Sequence, residues 1–357
     1  MNGSLKISSR LGDYEAVFDE DFGFLDALAG LPNAVCVADA KVWDLYRADL
    51  APRFADRVLL LEANEEKKSL AGAEEIYRFI LGRTAKKNLK LVAVGGGVIQ
   101  DLAGFAASTI FRGVEWHYVP STLLAQADSC IGSMTSLNFD ASKNLLGSFY
   151  PPKSIHIHGA FIETLSARDV HSGFGEIIKL QLMKQGPKDL DALKAGLAAA
   201  LESPAALLGL IRSSLEVKKP YIEEDEFDRG RRMLLNYGHC FGHALESASD
   251  YGLPHGLAVT VGMVFANALA VLRGRMDQGL YERLNKDLLL PNLAPVRLAA
   301  ADFDAARLLK AMRNDKKVTQ GRLAVVIPDG ALNFLKLDDV TEDEFNGAFG
   351  ALLKALF

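Results

Sequence analysis

The sequence predicts a two-part fold: an α/β half with a mostly parallel sheet over residues 1–160, and an all-helical half over residues 161–357. Three observations predict it. Short apolar runs alternate with helix-length patterned segments through the first half. One of these runs ends in a glycine-rich turn that opens directly onto a helical pattern. Beyond residue 160 the strand-like runs give way to long segments rich in Ala and Leu.

Taken in order, Ala34-Val-Cys-Val-Ala38, Val58-Leu-Leu-Leu61, Leu89-Lys-Leu-Val-Ala-Val94 and Trp116-His-Tyr-Val-Pro120 read as strands, because each is short and β-branched or aromatic. Helical spacing covers 70–87 and 98–108, and strand–helix–strand alternation implies parallel pairing with helices on the sheet faces. In the second half, 167–183, 187–201, 204–221, 229–250 and 257–275 read as helices.

Composition narrows the function classes. Hydrophobic content of 49% and charged content of 24% are globular values. A net charge of −5 with no basic run gives no electrostatic footprint for nucleic acid or a membrane surface, so neither is expected as a partner. Three widely spaced cysteines without a C-x-x-C pair suit a reducing compartment. The opening Met-Asn-Gly-Ser-Leu-Lys has no apolar signal core, and no uninterrupted apolar stretch approaches eighteen residues; the expectation is a cytoplasmic protein.

Three groups of residues carry chemistry. The strand ending at Val94 runs into Gly95-Gly96-Gly97-Val-Ile-Gln-Asp101-Leu-Ala-Gly104. Such a turn at a helix N-terminus suits a diphosphate, since backbone N–H groups and the helix dipole favour an anion. It equally suits a tight structural turn, and the spacing is not G-x-G-x-x-G. Asp39, ending an earlier strand, is placed either as a ribose-hydroxyl acceptor or as a helix N-cap.

The second group is Asn236-Tyr-Gly-His-Cys-Phe-Gly-His-Ala-Leu-Glu246 with His255-Gly256. His239 and His243 are four apart and leave one helix face, either as a polar face or as a divalent-metal clamp. Glu176, among Gly173, Phe174, Ile177 and Ile178, reads as a buried carboxylate. With His239 and His255 it makes a His₂Glu set that leaves positions open for substrate, and His243 is then free as acid or base. The third group is Arg112, Lys143, Lys179, Lys218, Arg232, Lys316 and Lys317, whose concentration in an acidic chain suggests a pocket for a substrate bearing two or more negative charges.

These motifs together resemble the dehydroquinate synthase-like sugar-phosphate cyclases over nearly the whole chain. The matching segments are GGGVIQDLAGF (95–105), FRGV (111–114), VPSTLLAQADS (119–129), KNLLGSFYPP (143–152), GEIIK (175–179), DEFDRGRRMLLNYGHCFGHALE (225–246), HGLAV (255–259) and NDKK (314–317). The resemblance implies an NAD-binding α/β domain followed by a helical metal domain, in a homodimer. It implies Zn²⁺ (with Co²⁺ as an alternative) on Glu176, His239 and His255. It places Asp39, Glu65, Lys68, Gly95, Gly96, Gly97, Asp101, Ser121, Thr122, Phe161 and Thr164 around the dinucleotide. His243, Lys179, Asp128 and Asn236 become the catalytic group. Lys143, Asn144, Lys218, Arg232 and one lysine of the pair Lys316 and Lys317 hold the substrate, and Arg112 reaches the phosphate of the neighbouring subunit's substrate.

The activity implied is that of a carbon–oxygen lyase acting on a phosphate: 3-deoxy-arabino-heptulosonate 7-phosphate becomes 3-dehydroquinate, in the shikimate route to aromatic amino acids. NAD transiently oxidises a ring hydroxyl, phosphate leaves by β-elimination, the hydride returns, and an intramolecular aldol closes the carbocycle. Lys218 and Arg232 match the positions that grip the substrate carboxylate. Four positions depart from the pattern: Met134 stands where the family carries lysine, Leu257 where it carries glutamate, and Gln100 and Ser133 where it carries glycine. Losing the charge-assisted contact of that lysine removes about 1.5–3 kcal/mol of binding. The alternative reading is therefore a cyclase of a different heptulose or amino-sugar phosphate in a secondary pathway. A metal-dependent alcohol dehydrogenase and a degenerate NAD-binding protein without turnover rank below it.

Overall fold

The structure is a computed structural model that describes residues 3–83, 88–140, 142–184, 189–249, 252–313 and 323–357. Lys316 and Lys317 lie outside the described residues. The chain forms two compact units, one of residues 1–165 with 219–227, the other of 166–218 with 228–357.

The first unit contains β1 (Gly3–Ile7), β2 (Tyr14–Asp19), α1 (Phe24–Ala29), β3 (Ala34–Asp39), α2 (Ala40–Leu45), α3 (Arg47–Phe54), β4 (Val58–Leu61), α4 (Leu70–Arg83), β5 (Lys90–Gly95), α5 (Gly97–Thr109), β6 (Glu115–Pro120), β7 (Met134–Phe139), β8 (Ser142–Phe149), β9 (Ser154–His158) and α6 (Ala160–Glu163). Its sheet has the order β1-β2-β9-β6-β5-β3-β4. Every pairing is parallel except β1 with β2. β3 and β5 are nearly continuous apolar runs, as strands buried on both faces must be; β5 is sealed from Leu91 to Gly95. The four strands expected from sequence are β3 to β6. β1, β2 and β9 escape that reading because their apolar and polar residues alternate over only five or six positions.

A hydrogen-bonded chain of side chains crosses four strands of this sheet. His156 joins Asp19 at 3.0 Å and Ser154 at 2.9 Å. Ser154 joins His117 at 2.8 Å, and His117 joins Glu115 at 3.2 Å. Glu115 then pairs with Lys90 at 2.9 Å. Burial pulls the His117 imidazole below its ordinary range despite the neighbouring Glu115.

The second unit contains α7 (Ala167–Lys184), α8 (Leu190–Glu202), α9 (Pro204–Glu224, its end in the first unit), α10 (His239–Ala248), α11 (His255–Leu272), α12 (Gln278–Leu284), α13 (Leu290–Asn292), α14 (Ala305–Arg313), β10 (Leu323–Pro328), β11 (Phe334–Val340) and α15 (Glu342–Leu356). It is helical apart from the antiparallel pair β10–β11, which the reading of an all-helical half did not include. β10 is buried at every position, and so short an apolar run cannot be told from a core helix segment by periodicity.

α11 is the spine of this unit. It is sealed from Gly256 to Ala270, as a helix apolar on all sides must be. Among the described residues it is the one helix long and apolar enough to cross a membrane, yet 83% of that window is buried within the protein. The expected helix 229–250 is corrected: a 3₁₀ turn, Arg231–Asn236, precedes it, and α10 starts only at His239. Gly238 adopts φ +80°, a left-handed conformation that interrupts the helix and that glycine allows without strain.

Candidate active site

In the first unit, β5 delivers the chain to the start of α5 with no side chain capping the helix. A Cβ added at Gly97 would meet nothing within 4 Å, so the space over these first helical amides is open. An open helix N-terminus of thirteen residues is suited to a phosphate anion, and this fits the dinucleotide implied by the sequence. Ser121 donates its backbone N–H to Gly95 O at 3.0 Å, and Thr122 lies against Gly96, so both border this turn.

Lys68 is 6% exposed and joins two groups of expected residues. Its ammonium pairs with Asp101 at 2.5 Å and donates to Asn144 Oδ1 at 2.5 Å. Asn144 Oδ1 also accepts from Ser136 at 2.9 Å, and its backbone N–H donates to Asn138 at 2.9 Å. Asn138 in turn donates to Glu65 at 2.9 Å, beside Lys143 at 3.9 Å. Burial raises the Asp101 carboxyl against the lowering pull of Lys68. Asp39 caps α2 by accepting from the Lys41 N–H at 2.9 Å, so the capping role is present at the end of β3.

The other first-unit residues have different settings. Phe161 is a core residue at 1% exposure, packed edge-on to Tyr46 with ring centres 4.7 Å apart, so its side chain offers no ligand surface. Thr164 shares a 2.9 Å hydrogen bond with Tyr46. Asp128 sits in a single π-helical turn, Ala125–Ser129, a distortion frequent at functional sites. Arg112 is exposed and projects from consecutive left-handed residues, Phe111 at φ +51° and Arg112 at φ +63°. Met134, on β7, is 42% exposed.

In the second unit Glu176, on α7, is completely buried. Its Oε1 lies 3.4 Å from His239 Nε2 and 3.3 Å from His255 Nε2. Lys179 pairs with Oε2 and is 2% exposed. Burial alone would raise the Glu176 carboxyl, but Lys179, His239 and His255 outweigh it and hold it well below the usual range. His239 is driven far below the ordinary imidazole range by burial and by Lys179. Burial opposes charge on His255 too, yet Glu246 and Glu176 raise it to about 10.

These helices meet because glycines let their backbones touch. A Cβ on Gly175 would stand 2.0 Å from Gly256 O, and one on Gly256 would stand 1.7 Å from Ser172 O. Both carboxylate oxygens of Glu176 are sealed from water without a hydrogen bond of good geometry. A buried, ionised carboxylate facing two imidazole Nε2 atoms fits a divalent cation, and the donor set is that of a catalytic zinc. His239, His243 and His255 also bring ligand atoms within 4.8 Å of one another. Glu176 supplies the anionic charge that a set of three histidines lacks, which favours His239 and His255 with Glu176. His243 is the most exposed of the three histidines.

Lys218 and Arg232 are nearly sealed, at 7% and 3% exposure. Asn236 donates to Met233 O at 2.8 Å, at the end of the 3₁₀ turn that carries Arg232. Glu246 was not singled out by sequence reasoning. The available signal is its spacing, seven residues after His239 and three after His243 on one helix face.

Comparison with known proteins matches both halves of the chain. Residues 58–172 match the 3-dehydroquinate synthase N-terminal family and residues 173–318 the 3-dehydroquinate synthase C-terminal family. The 3-dehydroquinate synthase of Idiomarina loihiensis is 37% identical over 282 residues, 76% of each chain. The structure of 2-epi-5-epi-valiolone synthase from Streptomyces hygroscopicus, with NAD⁺ and Zn²⁺ bound, superposes with a TM-score of 0.85 at 26% identity, covering 97% of this chain and 98% of that one. The fold of 2-deoxy-scyllo-inosose synthase, solved with carbaglucose-6-phosphate, NAD⁺ and Co²⁺, is shared at a TM-score of 0.83 and 22% identity, over 97% and 99% of the two chains. With both halves matched in order, the chain belongs to the dehydroquinate synthase-like family of sugar-phosphate cyclases.

Proposed function

We propose that this protein converts 3-deoxy-arabino-heptulosonate 7-phosphate to 3-dehydroquinate with release of phosphate, using NAD and Zn²⁺ and acting as a homodimer. The observation that carries the substrate choice is the burial of two cations, Lys218 and Arg232. They stand at the positions that the resemblance assigns to the substrate carboxylate, and two cations side by side in a site suit an anionic group.

When bound, NAD supplies a hydride acceptor and donor, and zinc supplies a Lewis acid at a substrate oxygen. Glu176, His239 and His255 hold the metal. The open turn at Gly95, Gly96 and Gly97 holds the diphosphate, with Lys68 and Asp101 bordering Asn144. Lys218 and Arg232 orient the carboxylate. Arg112 from the neighbouring subunit and Lys143 neutralise the phosphate. His243 exchanges a proton with the substrate through its imidazole, with Asp128, Lys179 and Asn236 around the reacting carbons. Holding one substrate through successive steps supplies the advantage of proximity.

A second reading rests on Met134. Its exposed thioether stands where a family lysine would add an anion contact, which favours a cyclase acting on another heptulose or amino-sugar phosphate. Incubating the protein, NAD and Zn²⁺ with a panel of sugar phosphates separates the two. Phosphate release and product mass are followed together. Release from the carboxylated heptulosonate is the expected result; release from uncarboxylated sugars alone would establish the second reading instead.

A further inference from the structure

We propose that Glu246 is a positioning residue of the metal centre, holding His255 in the tautomer that presents Nε2; this rests on the zinc reading of Glu176, His239 and His255. Glu246 is only 7% exposed, and a carboxylate is seldom so buried without a defined partner. Its Oε2 lies 3.1 Å from His255 Nδ1. An ionised carboxylate only accepts, so Nδ1 carries the hydrogen. Nε2, which faces Glu176 Oε1 at 3.3 Å, is then the nitrogen that gives up its hydrogen when a cation binds.

His239 reaches the same state by a different route. Its Nδ1 lies 3.1 Å from Tyr237 O, a backbone acceptor, while its Nε2 faces the same Glu176 oxygen. One imidazole is thus backed by a neutral carbonyl and the other by a full negative charge. An anionic partner makes an imidazole a stronger ligand as well as an oriented one. The helices do not need Glu246 to pair. Phe241 of α10 stacks on Phe265 of α11 with ring centres 4.5 Å apart, and a Cβ on Gly242 would stand 3.1 Å from Ala258. Burying a carboxylate for packing alone would be costly.

The test uses the full chain and reads zinc affinity by competition with a chromogenic chelator, beside the melting temperature of the zinc-free protein. Glu246→Ala is expected to weaken zinc binding about ten- to a hundredfold. Glu246→Gln keeps the shape and an accepting oxygen but removes the charge, and should fall between the parent and the alanine variant. It also carries the test if the alanine variant does not fold. With Co²⁺ in the site, both variants should alter the visible absorption bands. A lowered melting temperature with parental zinc affinity would overturn the proposal, since that is what a purely structural carboxylate gives. His239→Ala separates the two levels. If it binds zinc like the parent, the metal reading itself fails. If it loses zinc while both Glu246 variants keep it, only the role of Glu246 falls.

Discussion

Glu176 and His255 lie on different helices, yet Oε1 and Nε2 stand 3.3 Å apart, because Gly175 and Gly256 let α7 and α11 touch through their backbones. The proposed metal site is therefore a product of helix contact as much as of ligand identity. A single methyl group at either glycine has no room.

Gly256→Ala would place a Cβ 1.7 Å from Ser172 O, so the helices must part. Overpacking of this kind costs about 1–3 kcal/mol, and here it also moves His255 from Glu176. The variant is expected to melt at a lower temperature and to hold less than stoichiometric zinc. Metal analysis by mass spectrometry and a thermal melt check both.

His239→Ala removes one of two imidazoles facing Glu176 and should strip both metal and activity. Chelation of the parent should abolish activity, and added Zn²⁺ or Co²⁺ should restore it. A folded His239→Ala protein with one zinc per chain would remove His239 from the ligand set.

Lys218→Met and Arg232→Met each delete a buried charge. Each should cost about 1.5–3 kcal/mol of binding to a carboxylated substrate, a rise in KM of roughly ten- to a hundredfold. Steady-state kinetics with the heptulosonate phosphate measures it. Unchanged KM in both would place the carboxylate elsewhere.

Met134→Lys restores a cation on β7. If the heptulosonate is the substrate, kcat/KM should rise by up to roughly a hundredfold. An unchanged value would mean that another cation already serves the anion.

The chain from Asp19 to Lys90 makes stability depend on pH. Folded His117 has its pKa below the ordinary 6.5 because burial disfavours the charged form. The unfolded chain therefore binds a proton there more readily, and stability from His117 is present above pH 6.5 and lost as pH falls below it. The lowered carboxyl of Glu115 adds loss of the same sign in more acidic solution. Melting temperatures measured from pH 7.5 to 5.0 should fall, and His117→Gln should flatten the upper part of that slope.

Much of the fold is legible in residue order. β3 and β5 are nearly continuous apolar runs, and α5 follows its glycine turn, as buried parallel strands and a strand-to-helix junction require. α7, α9 and α11 have clear apolar patterns. The helix expected over 229–250 is broken at Gly238, which has a left-handed φ and where an added Cβ would stand 2.6 Å from Val259 O of α11. Phe161 belongs to a core with Tyr46 and Phe22, a placement set by packing among distant segments.

The sequence by itself determined the order of β3 to β6 and of the long helices, the glycine turn, the carriers of charge and the presence of a His₂Glu donor set. Those properties are local, because periodicity, turn chemistry and ligand type act within a few residues. Tertiary structure decided that both Nε2 atoms meet Glu176, that Tyr237 and Glu246 orient the imidazoles, and that Lys68 joins Asp101 to Asn144. Each of these depends on the separation of backbones from distant parts of the chain, which packing sets and residue order does not state.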